Sequence, residues 1–78
     1  MLYSHEVIDL MARHPGKTFQ MKDIVRHVGR GRPTDEKARI ARRRAVDRLL
    51  KALGEHGLVL VTPAASRGKS ALYRWHEK

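Results

Sequence analysis

Between Lys37 and Lys51 the chain places seven basic side chains and one acid, Asp47, in fifteen residues. Five of the seven are arginines: Arg39, Arg42, Arg43, Arg44 and Arg48. A guanidinium is planar and permanently charged, and its donors form a fork. That fork meets a phosphate, or the O6 and N7 edge of guanine, with two bonds. On a helix, Arg44, Arg48 and Lys51 stand at i, i+4 and i+7, and Arg39 and Arg43 stand at i, i+4. Both stripes lie away from the apolar side. Arg42 is the exception, because its angle falls near the centre of the leucine stripe. It is tolerable there only if the N-terminal half of the helix projects beyond the core. Ile40 is apolar on the polar side, as a partner for thymine methyls or as an exposed residue without a role. The chemistry this pattern suits is recognition of a polyanion.

Two further basic groups stand outside that segment. Arg67 and Lys69 flank Gly68, and no acid occurs between Glu55 and Glu77. Arg30-Gly31-Arg32-Pro33 matches the short core of an AT-hook, but Thr34-Asp35-Glu36 follows at once. Those acids oppose deep insertion into a minor groove. Three readings stand: minor-groove insertion, phosphate contact by Arg30 or Arg32, or a plain connector between helices.

The charge is concentrated. The net charge of +9 divides into +1 for residues 1–28, +6 for residues 29–51 and +2 for residues 52–78. A field of that kind draws in phosphates, because neutralising them releases condensed counterions. Asp35, Glu36 and Asp47 can pair with some of the helix arginines. Three acids cannot neutralise seven bases.

Seventy-eight residues suit one small domain spanning 1–78. The chain has one Trp, two Tyr and one Phe, so its core must be mostly aliphatic. With no cysteine, disulfides and thiolate metal sites are excluded. No apolar run approaches the length of a membrane span, and no signal-peptide pattern opens the chain. These features lead us to expect a cytoplasmic protein, nucleoid-associated in a bacterium.

The elements that must position the arginines follow from periodicity and punctuation. Ser4 is a candidate cap for a helix over 5–14 with Val7, Ile8, Leu10 and Met11 inward, Tyr3 and Ile8 standing at staple spacing. His14-Pro15-Gly16 ends it. Residues 17–20 form a short extended link anchored by Phe19, and a second helix over 21–28 buries Ile24, Val25 and Val28. Gly29 is its stop. A third helix spans 34–55, launched by Pro33-Thr34 with Asp35 and Glu36 in its first turn. Its inner stripe is Ala38, Ala41, Ala45, Val46, Leu49, Leu50 and Leu53, and Gly54 and Gly57 bracket its end. Residues 58–61 and 71–75 read as the strands of a hairpin with a long basic loop, Tyr73 and Trp75 packing on the helices. Arg74 faces either solvent or a ligand.

That arrangement, mainly α with a small β-hairpin in the order helix-strand-helix-helix-strand-strand, resembles a winged helix-turn-helix domain. The resemblance is carried by "FQMKDIVRHVG" (19–29) and by "AVDRLLKALGEHGLVLV" (45–61). The connection Arg30–Pro33 departs from the pattern by exceeding a tight turn. The resemblance implies double-stranded DNA as the partner, with the third helix in the major groove and a basic wing, about 63–70, on backbone or minor groove. It implies a small transcription regulator. It also implies dimers in many members, and here the apolar segment around Leu2 and Tyr3 is the candidate interface.

Other function classes find less support in the residues. The five histidines show no metal-ligand spacing, and "RGKS" (67–70) lacks the upstream glycine of a phosphate-binding loop. No enzyme, metal site, cofactor or small-molecule ligand is expected. The rivals are an RNA-binding module using "RIARRR" (39–44), a protein-interaction module, and a replication, partition or excision accessory factor of a mobile element.

Overall fold

A computed structural model describes residues 3–64 and 70–76. Three helices and three strands follow in the order α1 (Ser4–Ala12), β1 (Thr18–Gln20), α2 (Met21–Val28), α3 (Glu36–Glu55), β2 (Val59–Thr62) and β3 (Leu72–Trp75). The element order therefore agrees with the sequence reading. The strands form one antiparallel sheet in the order β1-β3-β2, so the hairpin β2–β3 is extended by the short strand that precedes α2. Phe19 lies opposite Tyr73, and Tyr73 opposite Val61, across its three strands. Among the described residues no helix is long and apolar enough to cross a membrane.

Every element supplies part of the core except β3, whose Tyr73 and Trp75 pack against it half-buried. Val7 and Met11 come from α1, Phe19 from β1, Ile24 and Val28 from α2, and Val59 from β2. Helix α3 gives the largest share with Val46, Leu49, Leu50 and Leu53. Alternation explains the sheet, since Tyr73 and Trp75 turn inward while Arg74 between them is exposed.

Helix ends show where local signals were misread. Helix α1 starts at Ser4 itself, its N-cap being Tyr3 in a left-handed conformation (φ 65°) with no side-chain cap hydrogen bond. Ser4 is thus not the cap, and the helix also stops at Ala12, short of His14. Helix α2 keeps its expected bounds, and the carboxylate of Asp23 accepts from the Gln20 backbone N–H at 3.1 Å. Helix α3 begins two residues later than expected. Asp35 is its cap and accepts from the Ala38 N–H at 3.4 Å.

At the far end of α3 the N–H of Leu58 donates to Leu53 O at 2.9 Å and that of Gly57 to Gly54 O at 3.1 Å. Those two bonds, with φ +75° at Gly57, close the helix as a Schellman motif and turn the chain into β2. Glycine is needed at 57 because a side chain is strained in that conformation.

The connection 29–35 is folded against its neighbours. Gly29 stays in right-handed geometry (φ −82°), so it does not stop α2 by a left-handed turn. The left-handed residue is Gly31 (φ +70°), beside a turn in which Arg32 N–H donates to Gly29 O at 3.1 Å. Gly29 meets a different demand. A Cβ there would lie 3.0 Å from Arg42 Nη1 and 3.2 Å from Val25 O. It is a close-approach glycine.

Candidate nucleic-acid interface

Arg42 and Arg32, both picked out by sequence, make contacts inside the fold. Arg42 is 5 % exposed, and its Nη2 donates to Pro33 O at 2.8 Å. The N-terminal half of α3 does not lift it clear of the core, as its position in the leucine stripe suggested it must. The 29–35 connection instead lies over it. Arg42 stands four residues before Val46, in line with the buried stripe, whereas Ala41 is exposed. The aliphatic stem is buried with the apolar residues, and the guanidinium reaches a backbone carbonyl.

Arg32 is engaged too. Its Nη2 donates to Glu6 Oε1 at 2.6 Å, its Nη1 donates to Val28 O, and its guanidinium carbon lies 4.9 Å from the centre of the Tyr3 ring. Arg-Gly-Arg-Pro is therefore pinned by Arg32 to α1. Glu6 responds to that contact. The Arg32 hydrogen bond first, and its own backbone second, hold its carboxyl below the usual carboxylate range. A carboxylate depressed in the folded state contributes stability above its unfolded pKa and loses it as pH falls through its folded pKa. Glu6→Gln should flatten the acid limb of the stability curve between about pH 6 and pH 3. Urea midpoints measured across that range check this. Parallel curves for the two proteins would show that the pair contributes nothing.

The remaining arginines of α3 are exposed. Asp47 takes Lys51 as its partner at 3.0 Å. Among the described residues Arg30, Arg39, Arg43, Arg44 and Arg48 make no ion pair, and all five are exposed. Arg67 and Lys69, which the sequence reading assigned to a basic loop, lie outside the described residues, as does Leu2.

Arg39 and Arg43 share a feature that Arg44 and Arg48 lack. With Glu36 and Ile40 they form the i, i+3, i+4, i+7 face of α3 that borders a groove of about 700 Å³ against α2. The opposite wall carries Met21, Lys22, Val25 and Arg26, and Gly29 and Arg30 close one end. Six basic side chains, counting buried Arg42, thus surround the groove against the single acid Glu36. Its apolar lining comes from Met21, Val25 and Ile40.

Lys22 and Arg26 were missed by the sequence reading. Residues 1–28 are nearly neutral in sum, so the α2 pair looked balanced by Glu6, Asp9 and Asp23. The available signal was spacing. Lys22, Arg26 and Arg30 recur every fourth residue, which aligns them along one side of α2 and its extension. Asp23 is occupied at the helix start, and Glu6 and Asp9 pair with Arg32 and Arg13. Asp9 and Arg13 are 2.9 Å apart.

Chemically, the groove offers positive charge on two walls and a largely apolar lining between them. Such a surface can bind a polyanion that also presents some apolar edge. No family model, no curated protein and no solved structure matches this chain.

Proposed function

We propose that the chain is a winged helix-turn-helix domain that binds double-stranded DNA, as a small transcription regulator. The observation that carries the reading is the convergence of Lys22 and Arg26 from α2 with Arg39 and Arg43 from α3 on one groove. Charge from two elements on one face is the footprint of a duplex, whose phosphates run along both sides of the groove it presents. Element order and the β1-β3-β2 sheet support the fold assignment. In this reading α3 enters the major groove with its N-terminal half. Arg30 and the α2 pair hold phosphates beside it. Arg44 and Arg48 reach the backbone on the other side of α3, and the loop between β2 and β3 acts as the wing.

The test is binding to a random-sequence 30-bp duplex across a salt series. Plots of log affinity against log salt should be linear, with a slope near −0.9 for each phosphate neutralised, so about −4.5 for the five phosphate contacts of α2, Arg30 and α3. Affinity independent of salt would remove the proposal. Preferential capture of a structured RNA competitor would move the assignment to the RNA-binding class.

A further inference from the structure

Ile40 is 45 % exposed on the groove face of α3, among Glu36, Arg39 and Arg43. The other large apolar side chains exposed to a similar degree, Leu58, Leu60 and Val61, lie in or beside β2. Ile40 thus stands apart from them, inside the basic rim. Ile40 lies outside the buried core cluster. The core contribution of α3 runs through Val46, Leu49, Leu50 and Leu53, and a β-branched residue on an exposed helix face is a poorer helix former than Ala, Lys or Arg. Across the groove its apolar counterparts are Met21 and Val25.

A duplex supplies one apolar feature to a helix in its major groove, the C5 methyl of thymine. Guanine, cytosine and adenine present hydrogen-bonding edges there. The acceptor atoms of guanine and adenine can satisfy Arg39 and Arg43, but all three polar edges would lose water without compensation against Ile40. We propose that Ile40 is a specificity-determining residue that reads a thymine methyl, flanked by Arg39 and Arg43, which fix the register on the DNA. The inference rests on the duplex-DNA reading above and adds the identity of one base.

The experiment begins with selection from a random-sequence 30-bp duplex pool. The enriched duplex is then resynthesised with a single deoxyuridine at each thymine in turn, which removes one methyl and leaves every hydrogen-bonding group. At one or two positions the wild type should lose about fourfold in affinity, the factor expected for exposing one methyl-sized group. Ile40→Ala should bind the thymine and deoxyuridine duplexes equally at those positions. Because Ile40 is exposed, that variant should keep the wild-type thermal transition. Silent substitutions at every thymine would overturn the proposal. So would an unchanged uracil penalty in Ile40→Ala, since the methyl would then be read by another group. A pool that yields no bound duplex at any salt would take down the duplex reading, and this inference with it.

Discussion

Replacing Arg39 and Arg43 together by alanine should weaken duplex binding roughly a hundredfold, from about 1–3 kcal/mol for each lost base-edge or bidentate contact. The fold should be untouched. Both side chains are exposed and make no ion pair among the described residues, and alanine is the better helix former. Arg39 and Arg43 are preferred to the neighbouring pair because they alone among the exposed α3 arginines border the groove with α2. Arg44→Ala with Arg48→Ala should cost less and act evenly across sequences, as loss of phosphate contacts does. Titration of both double variants against a selected duplex, with circular dichroism as the folding control, separates these expectations. Equal losses in the two variants would mean that α3 is not oriented as proposed. An unaltered affinity in the Arg39/Arg43 variant would remove the groove face of α3 from the interface.

Arg42→Ala should behave in the opposite way. Its guanidinium is buried and bonded to Pro33 O, so the variant loses a charge-assisted hydrogen bond worth about 1.5–3 kcal/mol. It also loses the packing of the stem. For a domain of this size the fall in Tm should be on the order of 10 °C. The salt slope of DNA binding should stay put, because a buried group contacts no phosphate. Arg42→Met divides the effect. It keeps the stem and removes a buried charge that has no acidic partner among the described residues, and whose Nε is without a hydrogen bond there. Exchanging such a charge for an apolar side chain is often close to neutral, so Met should recover much of the stability that Ala loses. Thermal melts and a salt series on the three proteins test both halves. A stable Arg42→Ala protein whose slope had dropped by about one unit would return Arg42 to the interface.

Local sequence carried the architecture far. Periodicity placed all three helices, because an element that buries one face must repeat its apolar residues with the period of its backbone. Helix α2 was legible to its last residue: Asp23 can reach back to the Gln20 N–H within one turn, and Ile24 and Val28 stand four apart. The end of α3 was equally readable, since a left-handed residue at 57 calls for glycine. Ser4 failed as the cap of α1 because it is the first residue of the helix itself. The cap position falls to Tyr3 in a left-handed conformation with no side-chain cap bond, which residue type alone does not signal.

The charge in residues 29–51 fixed that this chain has a strongly basic segment, because composition is independent of folding. How that charge is divided was settled by contacts between residues distant in the chain. Arg32 meets Glu6 twenty-six positions away, and Arg42 reaches Pro33 nine positions back, in the connection that precedes α3. A helical wheel gives the direction of a side chain but not what lies over it. For that reason the wheel marked Arg42 as anomalous without finding the carbonyl that satisfies it. Lys22 and Arg26 show the converse. Their spacing was visible, but only the packing of α2 against α3 put them opposite Arg39 and Arg43 and turned two modest stripes into one groove. Periodicity is a property of one element, whereas a site is a property of the distance between two, and that distance is set by the core beneath them.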